Sequence, residues 1–536
     1  MKGFRKLVVL GLISTVVLSA CSTKGDEQQT QEPVSSTTPN EKIQFPLKES
    51  VTISVLHFNP TFDSEQFQKR VAVQDMFKET NIKLEYHISN AASAADRETF
   101  LKLALASGNY YDIILGVPDN VLSMYAASGA ILPLEKYIND DITPNYMKAV
   151  KLRPQLKKVA TDPSGHVYSM PIMIEVYQQW MENNFIINKS WLSKLGLKEP
   201  KTTDELYTVL KAFKEQDPNG NGIADEIPLT LIDEEAFAHL EAFMGSFGLA
   251  YKHGLNDGYT IIDNGKVEFA PIRPEYKEGI KFLRKLYTEG LLDKEVFTQK
   301  QANLSAKYQN AEDIVGSTVH KNTTSFKNPS HYSVIAPPAA PGRTPKVWVN
   351  PGVLGKRSSV VITKNNKYPE HTMALMDKYY NTQEFLKLNY SPLAYMDNGI
   401  LKYKDLPAGA VYAAYGQENF FGGSWPGMVL EEDIGTKALV PPDTVQGTEY
   451  IPINKPYFAK DIWPRPQFTT EETEKLIQLR TDIFTFVKNM KAKFITDPKT
   501  NIDAEWDNYI NSLKKMKLNE FLDIMQAAYD RYNAVK

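Results

Sequence analysis

Residues 217–226 read Asp-Pro-Asn-Gly-Asn-Gly-Ile-Ala-Asp-Glu. Asp217, Asn219, Asn221 and Asp225 place side-chain oxygens at the first, third, fifth and ninth positions of an EF-hand-like loop, and Gly222 falls where the sharp turn needs glycine. The Ile223 carbonyl would be offered at the seventh position. A hard cation is held by converging oxygens of this kind. The twelfth position, normally a bidentate glutamate, is Pro228, so the loop is not a true EF-hand, and Glu226 is the residue that can supply the missing carboxylate. The bland alternative is a solvated turn, since Asp-Pro and Asn-Gly are ordinary turn formers. The pattern favours Ca²⁺ in a structural role.

A second chemistry-bearing position is Cys21, the only cysteine among 536 residues. It follows a basic Met-Lys-Gly-Phe-Arg-Lys start and an apolar run, Leu7 to Leu18, too short to span a bilayer core. Leu18-Ser-Ala-Cys21 resembles a bacterial lipobox, in which the thiol is acylated and becomes the new N-terminus. Residues 1–20 are then a lipoprotein signal peptide. Two or more acyl chains hold a protein on a membrane where one would not. Residues 21–48 are rich in Gln, Ser, Thr and Pro and read as a disordered tether.

The elements behind these positions follow from periodicity. Val51–Leu56, Ile82–Tyr86 and Asp112–Leu115 read as strands, with helical patterns at 65–79 and 99–107 between them. The β-α-β-α-β order implies a mostly parallel sheet, whose ligands sit beyond the carboxyl ends of its strands, at His57–Asn59 and Gly116–Asn120. Thr202 with Glu205, and Thr469 with Glu472, form capping boxes that open helices. Residues 274–289 and 369–382 are helical, 333–347 loop-like, and the chain from Thr469 is mostly helix. Formal net charge is −3, from 61 basic and 64 acidic residues, which gives no global field for nucleic acid. Apolar residues make 42%, enough for more than one core.

Several segments, weak singly, fall in a specific order: Leu105-Ala-Ser-Gly-Asn-Tyr-Tyr-Asp-Ile-Ile114, Tyr125-Ala-Ala-Ser-Gly-Ala-Ile-Leu-Pro-Leu134, Gly165-His-Val-Tyr-Ser-Met-Pro171, Trp191 to Leu206, Phe494-Ile-Thr-Asp497, Trp506-Asp-Asn-Tyr509 and Ala528-Tyr-Asp-Arg-Tyr532. With them the chain resembles the bacterial extracellular solute-binding proteins, family 1, in the long lipoprotein branch of Gram-positive bacteria. It departs at Asp497, where members often carry glycine. The resemblance implies a two-lobed, periplasmic-binding-protein-like α/β clamp, similar in design to maltose-binding protein, with a hinge and a helical C-terminal extension. The expected lobes are 49–168 plus 312–358 and 169–311 plus 359–536. Crossings are expected near 168–176, 311–318 and 356–362. The family pattern includes a Ca²⁺ site of the kind seen at 217–226. The expected partners are an oligosaccharide, two permease subunits and an ATPase, with the chain a monomer on the outer face of the membrane.

Sugars present C–H faces to aromatic rings and hydroxyls to carboxylates, amides and Arg. Tyr177 and Trp180 follow the first expected crossing. Trp348 and Asn350 precede the last. Trp425 lies in an aromatic, glycine-containing loop, Phe420–Gly427, and Trp463 in Trp-Pro-Arg-Pro. His57, Phe58, Asn59, Asp119, Glu175 and His320 are loop positions that such a clamp would aim at its cleft. For each, the bland reading is packing.

The rival readings are a secreted polysaccharide hydrolase or lyase and a surface adhesin. Paired carboxylates decide nothing among 64 acidic residues. Gly-x-Ser-x-Gly and His-Glu-x-x-His are absent, and Gly352-x-x-Gly355-Lys356 lacks phosphate-loop spacing. The chain is therefore expected to bind a solute, not to transform one.

Overall fold

A computed structural model describes residues 42–536 except 59–62, 92, 109, 177–182, 234–238, 253–257, 350–355, 423–424 and 443. Its strands, in chain order, are β1 (Val51–Phe58), β2 (Ile82–Ser89), β3 (Ile113–Leu115), β4 (Met170–Ile174), β5 (Asn184–Asn188), β6 (Thr260–Asp263), β7 (Lys266–Phe269), β8 (Ser317–His320), β9 (Tyr332–Ile335), β10 (Lys356–Ile362), β11 (Ala394–Asp397), β12 (Ile400–Tyr403) and β13 (Gly427–Val429).

The first sheet runs β13-β4-β10-β3-β1-β2. β1 lies parallel to β2 and β3, as the early β-α-β pattern predicts, while β10 enters antiparallel between β3 and β4. Near-continuous apolar runs such as Ile113-Ile114-Leu115 suit a sheet covered on both faces, and all three residues are buried. One face packs Val55, Phe67, Tyr86, Met173 and Phe385; the other packs Leu56, Phe58, Val121, Tyr125 and Val361. The second sheet, β8-β5-β9, is antiparallel. Its core gathers Phe185, Trp191, Phe213, Phe243, Leu283 and the C-terminal helices through Phe494, Trp506 and Phe521. The protein is thus a mixed α/β fold of two lobes, each built on its own sheet and core.

The local signals hold where they are chemical. Thr202 and Thr469 close their capping boxes with Glu205 and Glu472, opening helices Thr203–Glu215 and Thr470–Thr496. Ser93 with Asp96 adds a third box, which extends the expected 99–107 helix back to Ala94. The 65–79 helix is broken in two, Ser64–Gln68 and Val71–Thr80. The 369–382 helix ends at Lys378, and Asn381 caps a new one, Thr382–Tyr390.

The lobe boundaries differ from expectation. β8 and β9 pair with β5 in the second sheet, so 312–335 does not belong with the N-terminal strands. β10 and β13 join the first sheet, so 359–430 belongs with them. The described chain passes between sheets after β4, between β9 and β10, and after β13; nothing crosses at 311–318, and 356–362 is itself a strand. The physical reason is register. Val360, Val361 and Ile362 are fully buried only as the strand filling the gap between β3 and β4. Sequence spacing does not reveal that distant pairing.

Candidate functional site

The segments that pass between lobes are tied together by charge. Glu175 follows β4. Its carboxylate accepts from Arg153 at both oxygens, Nε to Oε1 at 2.6 Å and Nη2 to Oε2 at 2.8 Å. The Glu431 N–H, just past β13, donates to the same Oε2 at 3.1 Å, and the Glu175 N–H donates to the Val429 carbonyl at 2.8 Å. Arg153 also reaches Glu432 at 2.8 Å, and Lys455 pairs with Glu431 at 2.7 Å. Hydrogen bonding to Glu175 holds the Arg153 guanidinium further above its ordinary range. Glu175 therefore clasps the first and last crossing segments, with both of its oxygens accepting hydrogen bonds.

Beyond this clasp, Asn184 at the head of β5 donates to the Lys321 carbonyl at 2.7 Å and accepts from Asn454 Nδ2 at 2.8 Å. This fastens the returning segment to the second lobe. A cavity of about 600 Å³ opens beside it. It is lined by Lys321, Asn322 and Thr324, which follow β8, by Tyr403, Lys404, Asp405, Leu406 and Tyr412, and by Leu439, Val440, Pro442, Thr444, Val445 and Gly447. The volume lies in the range of small-molecule sites, and the wall is mainly apolar with a few polar groups. None of these residues was singled out in the sequence. No motif marks them in the sequence.

Most expected contact residues lie elsewhere. His57 and Phe58 end β1 rather than a loop: His57 pairs in register with Ile88 and Leu115 and packs edge-on to Phe67 at 5.4 Å, while Phe58 meets Phe100 at 5.7 Å. The strand runs two residues longer than the apolar run that predicted it, because neighbouring β2 continues to Ser89. His320 is the last residue of β8, buried against Tyr308, and burial pulls its imidazole below the usual histidine range. Asp119 begins helix Asp119–Ala127.

The described tryptophan candidates are buried. Trp425 is 1% exposed, between Phe421 at 5.7 Å and Tyr379 at 6.3 Å. Its loop is drawn inward by Arg70, whose Nη1 donates to the carbonyls of Phe420 and Phe421 at 2.8 and 3.2 Å; burial lowers that guanidinium to about 10. Trp463 is buried and stacks on Tyr529. Trp348 is buried, with the Lys252 ammonium 4.8 Å from its ring centre. Tyr177, Trp180, Asn59 and Asn350 lie outside the described residues.

The acidic loop is tightly curled. Asp217 carries φ +44°, with Gly220 and Gly222 also left-handed at +79° and +75°. Asp217 accepts from the Gly220 and Gly222 N–H groups at 2.9 and 3.1 Å, and Asn221 Oδ1 accepts from the Ile223 N–H at 2.7 Å. Lys194 donates to the Pro218 carbonyl at 2.9 Å and anchors the turn. The carboxamide nitrogens of Asn219 and Asn221 turn toward Asp225, at 2.9 and 3.1 Å.

Among the described residues, Asp217, Asp225 and Glu226 form no ion pair, and Glu226 Oε1 is buried with no hydrogen-bond partner. Burial first, then the Asp217 and Asp225 charges, push the Glu226 carboxyl above its ordinary range. These residues fit a dication: surplus negative charge, an orphaned oxygen, and amide oxygens on a curled backbone. Among the described residues no three acidic, His or Cys side chains converge on one point, so the amide and carbonyl oxygens must complete any coordination.

A two-lobed α/β clamp whose crossing segments flank a cavity defines a class. The chain belongs to the bacterial extracellular solute-binding proteins, whose family pattern matches residues 62–384. The fructooligosaccharide ABC transporter substrate-binding protein FusA of Streptococcus pneumoniae is 32% identical over 557 residues, covering 100% of this chain and 99% of FusA. The structure of S. pneumoniae FusA in complex with kestose matches with a TM-score of 0.72 at 29% identity, over 90% of this chain and 100% of that one. A FusA EF-hand mutant in complex with fructo-nystose matches at 0.71 and 30%, with the same coverage. No helix among the described residues is long and apolar enough to cross a membrane.

Proposed function

We propose that this protein captures an oligosaccharide between its lobes and delivers it to an ABC importer made of two permease subunits and an ATPase. The observation that carries this reading is the full-length similarity to FusA, a fructooligosaccharide substrate-binding protein, joined to an interlobe cavity of ligand size. Closure by hinge motion would swing the cavity walls together about the three crossing segments, and the Arg153–Glu175–Glu431 clasp keeps two of those segments in register as they bend. Cys21 is acylated and holds the protein at the outer face of the membrane, with residues 21–48 as tether. Asp217, Asn219, Asn221, the Ile223 carbonyl, Asp225 and Glu226 hold Ca²⁺, which supplies positive charge to a loop that lacks it. The FusA EF-hand mutant supports a cation loop in this branch of the family. The protein acts as a monomer.

A thermal-shift screen against neutral and acidic oligosaccharides tests the reading. A ligand of the folded state raises the melting temperature with dose. Stabilisation with the sugar recovered intact supports a receptor. A cleaved sugar identifies an enzyme instead, and no shift with any saccharide rejects oligosaccharide capture.

A further inference from the structure

The cavity beside β8 carries a lysine from each lobe. Lys321 lines it from the second lobe and Lys404 from the first. By contrast, Lys402 meets Asp397 at 2.7 Å, and Lys307 meets both Asp293 and Glu295 at 2.7 Å. Among the described residues neither Lys321 nor Lys404 forms an ion pair, although Asp405 lines the same cavity. Asn322, Thr324 and Thr444 add neutral polar groups, and Tyr403, Tyr412, Leu439 and Val445 supply aromatic and apolar surface, the last two being 42% and 53% exposed.

Two like charges on opposing walls repel as the walls approach, and repulsion grows as water leaves. Closure on a neutral ligand therefore works against the pair. Closure on an anion converts both lysines into attractive contacts, which give specificity and faster capture. Tyrosine and leucine surfaces suit the C–H faces of a sugar ring, not a bare inorganic anion.

We propose that this cavity is a subsite for a carboxylated sugar unit, gripped by Lys321 from one lobe and Lys404 from the other. The inference rests on the oligosaccharide reading above and specifies its substrate class. The cargo is an oligosaccharide with at least one ionised uronate-type residue, and the two lysines are specificity-determining.

Isothermal titration with trigalacturonic acid and with neutral kestose tests this, on the parent protein, on Lys321→Gln/Lys404→Gln, and on the charge-conserving Lys321→Arg/Lys404→Arg. Trigalacturonate is expected to bind the parent more tightly than kestose does, and more weakly as salt rises. The glutamine pair is expected to lose about tenfold or more of trigalacturonate affinity, about 1.4 kcal/mol, while the arginine pair retains most of it. An unchanged melting temperature for the glutamine pair shows that the loss is not misfolding. Binding of kestose alone, or trigalacturonate affinity indifferent to the glutamine pair, overturns the carboxylate subsite but leaves oligosaccharide capture standing. Binding of neither sugar, with no saccharide active in the thermal screen, overturns both.

Discussion

Replacing Lys491 by methionine probes how the second lobe is held to its C-terminal helices. Lys491 sits in helix Thr470–Thr496 and is 2% exposed. Its ammonium lies 2.5 Å from Asp233 Oδ1 and 2.6 Å from Glu241 Oε1. Tyr276 donates to Glu241 Oε1 at 3.1 Å and Tyr251 donates to Oε2. The two carboxylates hold the ammonium well above its ordinary range, against burial that would lower it. A group raised in this way contributes stability that is complete below its unfolded value and is lost only as pH rises through the folded one. The contribution is therefore intact at neutral pH. Methionine fills most of the lysine volume, so little of the cost is a cavity. What remains is two buried carboxylates without a cation, for which removal of one partner costs about 3–5 kcal/mol.

The two-lobed chain need not unfold in one step, so the direct readout is hydrogen exchange of the amides around residues 483–495. Their protection should fall by roughly two to three and a half orders of magnitude. Adding Glu241→Gln should recover part of that loss, because only one buried charge is then uncompensated. A change below about tenfold, or a double variant worse than the sum of its parts, would falsify the view that this cluster is dry and charge-balanced through Lys491.

Three further outcomes are expected. Calcium added to chelated protein should raise the melting temperature, equivalent to about 2.7 kcal/mol at a hundredfold excess over the dissociation constant; Asp225→Ala should abolish the rise, and persistence of the shift in that variant would place the ion elsewhere. Trp425→Ala should destabilise the first lobe by about 3–5 kcal/mol in urea unfolding; unchanged stability with lost sugar binding would instead return Trp425 to the cleft. Asp377 is raised from 3.8 to about 6 because burial outweighs the Asn145 and Tyr146 donors. The folded chain takes up that proton first, so this group adds stability as pH falls through 6 toward 4. The melting temperature of Asp377→Asn should lack that increment relative to the parent, and parallel profiles would contradict the assignment.

The parts legible in the sequence are those fixed by local chemistry. Capping boxes at Thr202 and Thr469 form as written, and the Asp217–Glu226 loop curls as its glycines and Asx residues dictate. The early parallel strands follow from Val51–Leu56, Ile82–Tyr86 and Asp112–Leu115 because apolar alternation and length are local properties. What sequence could not reveal depends on distant partners. β10 fills a gap between β3 and β4, and that pairing decides the lobe boundaries. Trp425 resembles a cleft residue until the buried Arg70, some 350 positions away, is seen pulling its loop inward. The partners of Glu175, Arg153 and the Glu431 N–H, likewise lie far from it in sequence or carry no motif. The lysines of the cavity carry no motif, since they come to one cavity from separate lobes.

Small-angle scattering during titration with oligosaccharide tests capture between the lobes most directly. Capture between the lobes predicts a saturable fall in the radius of gyration, tracking the calorimetric binding curve and reversed when the intact sugar is dialysed away. A bound sugar that leaves the radius unchanged, or one recovered in fragments, would contradict it.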